Sequence, residues 1–224
     1  MKITFLGTGA ADWNFNDHKD VKGFRRNSSA LVDDCLLIDP NSDVFNALET
    51  FGKDSSSIKY IINTHRHSDH FNVETIKGLT NAEFFFISPG ETKMIGDYTV
   101  MALRANHSTC EEAVHFIISD GEKNLFYGLD GAWLLFDEVR AIKNNGIDYA
   151  VFDATIGDVP GDYRIFEHNN LNMVLEMKKT LEPYIERFCI SHLARTLHSS
   201  HEEVAENMKK YNVEVAYDGY ETEF

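Results

Sequence analysis

The amino-acid sequence predicts an α/β chain folded as a four-layer αββα sandwich, two β-sheets face to face with helices outside. Three observations carry that expectation. Short β-rich apolar runs follow one another with few crossover helices between them through the first two thirds of the chain. Two blocks of such runs each close with helical patterns, an order that a simple doubly wound sheet fits less well. At 224 residues, 43% of them hydrophobic, the chain is long enough to bury a real interior as one domain spanning 1–224.

The strand runs are 3–6, 29–32, 35–39, 59–63, 83–88, 98–104, 114–119 and 124–129, carrying Ile, Val, Phe and Tyr between turn residues. Asp33 and Asp34 read as a hairpin turn between the second and third runs. Helical patterns cover 44–51, 73–79, 133–143, 171–179 and 202–211. The last opens on a capping box, because Glu203 follows Ser200 at the right spacing. A final strand covers 213–217. No linker, low-complexity tract or repeat of about 20–50 residues breaks this order.

Charge and cysteine usage narrow the class. With 21 Lys and Arg against 36 Asp and Glu, the net charge is −15, so no long nucleic acid is expected as a partner. Cys35, Cys110 and Cys189 are odd in number and far apart, which supports three buried thiols in a reducing cytosol rather than a disulfide framework or a zinc ribbon. The apolar start is broken at once by Gly7-Thr8-Gly9, too early for a signal-peptide core. No apolar stretch approaches the roughly 18 residues of a membrane span. These features predict a cytoplasmic protein with no membrane partner.

The chemistry concentrates in Ile61-Ile62-Asn63-Thr64-His65-Arg66-His67-Ser68-Asp69-His70, where an apolar strand delivers three histidines and an aspartate within six residues. On an extended strand end His65 and His67 point the same way. Asp69 and His70 can curl back from a loop or a first helical turn. Imidazole and carboxylate donors suit Zn²⁺, Mn²⁺ or Fe²⁺. Four residues cannot complete two metal sites, so further ligands must come from other strand ends: His107 beyond 98–104, Asp130 at the end of 124–129, and His192 after Phe188-Cys189-Ile190-Ser191. Among the other histidines, His18 lies in a polar loop and is expected to be solvated. His115 belongs to an alternating strand as a hydrogen-bonded core or surface residue. His168 precedes a helix and is free to enter a cleft. His198 and His201 flank the last helix, whose start can hold an anion or form ordinary surface.

By these motifs the chain resembles the metallo-β-lactamase superfamily, whose hallmark is His-x-His-x-Asp-His. Leu6-Gly7-Thr8-Gly9, Arg25-Arg26-Asn27-Ser28-Ser29, Asn106-His107-Ser108, Asp130, Ile190-Ser191-His192 and Asp218-Gly219 look like its phosphodiesterase branch. The likeness is nearest to the cyclic-phosphate phosphodiesterases associated with phosphonate breakdown, and more distant to the transfer-RNA 3′-processing endonucleases. Gly7-Thr8-Gly9 is not a dinucleotide loop, since Asp12 stands at the third glycine position.

The resemblance implies a ligand set and a reaction. His65, His67 and His107 would hold one divalent ion, Asp69, His70 and His192 the other, and Asp130 would bridge them. His168 would be a catalytic histidine outside the ligand set, and Asp69 would also orient the nucleophile. The cofactors would be two divalent ions, Zn²⁺ or Mn²⁺, with Fe²⁺ also admitted by the donors. The implied activity is hydrolysis of a small or cyclic phosphodiester through a metal-bridging hydroxide. The alternatives are a lactonase, thioesterase or β-lactamase-type hydrolase of the same fold, then a ribonuclease or a non-catalytic metal-binding protein. Relatives are often homodimers. Two departures stand out: 12–26 holds no Cys for the structural zinc site of the cyclic-phosphate enzymes, and no basic Gly-rich insertion matches the RNA-binding arm of the transfer-RNA enzymes.

Overall fold

In the computed structural model, which describes residues 1–224, the predicted runs assemble into two sheets. The first contains β1 (Lys2–Gly7), β2 (Ser29–Val32), β3 (Leu36–Ile38), β4 (Tyr60–Ile62), β5 (Glu83–Phe85) and β13 (Glu221–Glu223), in the order β13-β1-β2-β3-β4-β5. The second contains β6 (Thr92–Ile95), β7 (Tyr98–Arg104), β8 (Val114–Ser119), β9 (Asn124–Gly128), β10 (Ile147–Asp153), β11 (Ile185–Ser191) and β12 (Val213–Val215), in the order β12-β11-β10-β9-β8-β7-β6. Asp33, Asp34 and Cys35 join the paired Val32 and Leu36 of the β2–β3 hairpin; Asp33 and Asp34 are left-handed (φ 47° and 56°), and the Cys35 amide donates to the Val32 carbonyl at 3.0 Å.

Period-two alternation sorts the side chains into layers. Ile3, Phe5, Val32, Leu36 and Ile38 of the first sheet meet Val100, Phe116, Tyr127, Tyr149 and Val151 of the second in the core between the sheets. The intervening positions face outward: Leu31 and Leu37 pack under α2 (Val44–Thr50), beside Leu79 at the end of α3 (Val73–Gly78). Phe126, Ala150 and Phe152 pack under α4 (Phe136–Asn145), α5 (Leu171–Leu181) and α6 (His201–Lys209). The order is helix, sheet, sheet, helix, as predicted.

Several local expectations are corrected. Strands β6, β10 and β13 lie outside the predicted set, and β9 to β12 run parallel through α4, α5 and α6. β10 is buried on both faces, so it reads as a continuous apolar run without alternation, a signature that a buried helix shares. A short helix, α1 (Phe15–His18), replaces the polar loop, and His18 Nδ1 accepts from the Asn14 amide instead of being only solvated. Helix α4 starts at Phe136, three residues later than predicted. Of the three thiols only Cys189 is buried; Cys35 and Cys110 are partly exposed. No helix is long and apolar enough to cross a membrane.

Parallel pairing has one functional consequence. β3 and β4 share a direction, as do β9, β10 and β11, so their C-terminal ends gather along one edge of each sheet.

Candidate metal centre

Those strand ends deliver the predicted residues to one place. His65 and His67 follow β4, and a turn in which the His70 and Phe71 amides donate to the His67 carbonyl carries Asp69 and His70 back toward them. His107 comes from beyond β7, Asp130 from beyond β9 and His192 from the residue after β11. Asp130 and His192 adopt left-handed backbone (φ 56° and 61°), as does Asp39 after β3 (φ 60°). Non-glycine residues seldom take this conformation, which costs about 1–3 kcal/mol each, and its concentration at one edge marks side chains that the surrounding fold holds in place.

Two of the donor groups that result contain the predicted ligands. One is His65, His67, His107 and Asp130; the other is Asp69, His70, Asp130 and His192; within each, the candidate donor atoms all lie within 4.8 Å of one another. Asp130 belongs to both. Its Oδ2 lies 3.1 Å from His65 Nε2 and 2.9 Å from His70 Nε2, and its Oδ1 lies 3.2 Å from His192 Nε2. His67 Nδ1 and His107 Nε2 face each other at 3.2 Å, as do His70 Nε2 and His192 Nε2. A tetrahedral ion with Zn–N bonds of about 2.0–2.1 Å sets its donors about 3.3 Å apart, so the spacings fit a divalent ion in each group.

The far side of each ring strengthens that fit. His70 Nδ1 donates to Asp39 Oδ2 at 2.8 Å. His65 Nδ1 lies 3.0 Å from Thr64 Oγ1, which itself donates to Asp39. His192 Nδ1 lies 2.7 Å from Thr155 Oγ1, which donates to Asp153 Oδ2 at 2.9 Å. His107 Nδ1 faces the Glu167 carbonyl at 3.4 Å. Once these nitrogens carry the protons, the opposite nitrogens present lone pairs to the centre, the second-layer pattern of metal-binding histidines. Buried His65 Nε2 and Asp130 Oδ1 have no hydrogen-bond partner, as donors awaiting a cation would.

The electrostatics agree. Burial lowers His65 and brings His107 down to about 4, which keeps both rings in the neutral, ligating form. Burial also opposes charge on His70 and His192, but Asp130 and neighbouring carboxylates outweigh it, raising His70 well above its usual value and His192 to about 10. The buried carboxylates therefore create a field that favours positive charge at the centre.

His168 enters the cleft, as predicted, just before α5. Its Nδ1 lies 3.0 Å from Asp153 Oδ2 and 3.2 Å from Asp130 Oδ1, and its ring stacks on His192. His198 and His201 turn elsewhere: His198 Nε2 donates to the Ala154 carbonyl, and His201 Nδ1 packs 3.1 Å from Arg25 Nη2. His115 is buried in β8 against Glu138 at 2.5 Å. Sequence reasoning missed Asp39, Asp153 and Thr155. The signal for both acids was the one that exposed Asp130, an apolar run ending in Asp.

A metallo-β-lactamase fold carrying a paired His/Asp centre is what these features define. Residues 23–72 match the family described as Metallo-beta-lactamase superfamily. Among solved structures, the metallo-beta-lactamase fold protein YhfI from Bacillus subtilis superposes with a TM-score of 0.76 at 16% identity, covering 100% of this chain and 99% of that one. A diphosphatase from the PhnP family gives 0.73 at 17%, covering 100% and 97%. Zn²⁺-bound PqqB from Methylobacterium extorquens gives 0.75 at 17%, covering 100% of both. No curated protein matches the chain.

Proposed function

We propose that this protein is a dinuclear metal-dependent phosphodiesterase acting on a small or cyclic phosphodiester. The observation that carries the reading is the pair of His/Asp groups sharing Asp130 beside a cleft into which His168 projects. His65, His67 and His107 would hold one ion, Asp69, His70 and His192 the other, with Asp130 between. When bound, the ions supply Lewis acidity to phosphoryl oxygens and lower the pKa of a water toward neutrality. Asp69, on the cleft wall, orients the attacking water by accepting its hydrogen bond. His168, its Nδ1–H held by Asp153, presents Nε2 to the departing alkoxide as the proton donor.

The cleft's dimensions support this choice over the other hydrolases of the fold. It encloses about 230 Å³, and its only apolar side chains are Ala10, Ala11 and Ala194. A long acyl chain finds no apolar wall there, and a long polyanion would also have to cross a surface carrying a net −15. The similarity to a diphosphatase points toward phosphorus chemistry as well.

The test is a substrate panel with metal-loaded protein: bis-p-nitrophenyl phosphate, a ribose 1,2-cyclic phosphate, a lactone and a nitrocefin-type lactam. Turnover of the phosphodiesters alone is expected. Turnover of the lactone or lactam with both phosphodiesters untouched overturns the reading.

A further inference from the structure

Asp130 and His168 belong to different segments, one leaving β9 and the other entering α5, and Asn169, next to His168, bonds across to the first. Its backbone is held independently: the amide donates to Asp153 Oδ1 at 3.0 Å, and the carbonyl accepts from the Ile156 amide at 3.0 Å. The side chain, on a residue 2% exposed, reaches the other segment, where Nδ2 donates to the Gly131 carbonyl at 2.9 Å. Gly131 has no room to yield on its far side. A Cβ there would lie 2.5 Å from His115 Cε1, and the next amide, that of Ala132, donates to the Asn106 carbonyl at 3.1 Å. Asn169 Oδ1, by contrast, is buried with no partner. A buried carboxamide with an orphaned acceptor is a poor choice for packing alone, because an apolar side chain of similar size carries no such cost. What the carboxamide adds is the Nδ2 bond.

From this geometry we infer that Asn169 is a positioning residue, which holds the His168 ring at a fixed distance from Asp130. The inference rests on the phosphodiesterase reading, in which His168 gives its proton to the departing alkoxide. Asp153 is shared too widely to fix that distance by itself. Its Oδ2 accepts from Thr155 Oγ1 at 2.9 Å, from His168 Nδ1 at 3.0 Å and from the Asp130 amide at 3.2 Å. His168 Nδ1 also lies 3.2 Å from Asp130 Oδ1, and Asp130, Asp153, His168 and His192 form a further group of donors within 4.8 Å of one another. A small drift of the ring would exchange its bond to Asp153 for a contact with Asp130 or with an ion beside it. Asn169 opposes that drift by bracing the His168 segment against Gly131, the residue that follows Asp130. Proton transfer is sensitive to such displacement, since about 1 Å of misplacement can cost about 10²-fold in rate.

Two variants test it. Asn169→Ala removes the Nδ2 bond, and Asn169→Leu removes it while filling the space and deleting the orphaned acceptor. Against a ribose 1,2-cyclic phosphate, whose alkoxide needs a proton to leave, both metal-loaded variants should lose about 10- to 100-fold in kcat, with KM within about twofold. The loss against bis-p-nitrophenyl phosphate, whose phenolate is weakly basic, should be about tenfold smaller. Both ions should be retained by elemental analysis, and Asn169→Leu should unfold no earlier than wild type. In a His168→Ala background, Asn169→Leu should cost less than about twofold more, because the two residues act through one proton transfer. Metal-free protein labelled with ¹⁵N-histidine gives a readout without turnover. The proton on His168 Nδ1, identified by its loss in His168→Ala, should exchange with solvent about tenfold faster in either variant. Wild-type kcat on the cyclic ester, equal losses on both esters, a full additional loss in the His168→Ala background, or unchanged exchange overturns the positioning role alone. Failure of the wild type on both esters removes the phosphodiesterase reading and the positioning role with it.

Discussion

The two sides of the candidate centre rest on two fully buried carboxylates, Asp39 beyond β3 and Asp153 at the end of β10, and the two are built alike only in part. Each works with a threonine. Asp39 receives the Thr64 hydroxyl, which backs His65, and receives His70 directly. Asp153 receives the Thr155 hydroxyl, which backs His192, and receives His168 directly. The difference lies in what the second partner does. His65 and His70 are both candidate ligands, so on the proposed assignment Asp39 would support metal binding and not turnover. Asp153 divides itself between a ligand, His192, and His168, which is outside the proposed ligand set and faces the cleft. On the proposed assignment, support for binding and support for turnover would therefore meet in one carboxylate on one side of the centre and be separate on the other.

The largest expected effect tests the assignment of His168. His168→Ala should retain both ions by elemental analysis and lose about 10²- to 10⁴-fold in kcat, the usual worth of general acid assistance. Loss of an ion would make His168 a ligand. That outcome has a structural basis to probe, since Asp130, Asp153, His168 and His192 also bring donor atoms within 4.8 Å of one another.

A smaller effect separates the two carboxylates. Asp39→Asn and Asp153→Asn should each weaken metal affinity by about 10- to 100-fold, as loss of an outer-layer partner generally does. Competition against a chromophoric chelator measures this. At saturating metal the Asp39 variant should recover its kcat, while the Asp153 variant should not, because His168 loses its anchor. Identical behaviour of the two variants breaks the comparison.

The smallest effect concerns a third His–carboxylate pair, away from the centre, in which His115 and Glu138 are each 1% exposed. Burial lowers His115, but the charge and hydrogen bond of Glu138 more than offset it, so the folded-state pKa is raised. A raised histidine contributes stability fully below its unfolded value of about 6.5 and loses it as pH climbs through the folded value. The difference in unfolding free energy between wild type and Glu138→Gln should therefore be greatest near about pH 6 and shrink toward alkaline pH. Denaturant titrations across that range check it; a flat difference would show that the pair is uncharged.

What could be read from the sequence followed chain proximity. The spacing of His65, His67, Asp69 and His70 is local, and a strand end followed by a tight turn converts it directly into convergent side chains. His107, Asp130 and His192 were legible one step further out, because each follows an apolar strand run. Asp39 ended such a run too, yet its role depends on His70, 31 positions away, across a parallel β3–β4 pairing that no local pattern announces. Asp153 was hidden more deeply. Its strand is buried on both faces and lacks the alternation that marks a half-exposed strand, so the element itself went unrecognised. The sequence alone determined the layered fold and the chemical identity of the donors, since both follow from local periodicity and residue type. Only the tertiary structure decided which carboxylate stands behind which imidazole, because strand order and direction, not chain distance, set the neighbours at a sheet edge.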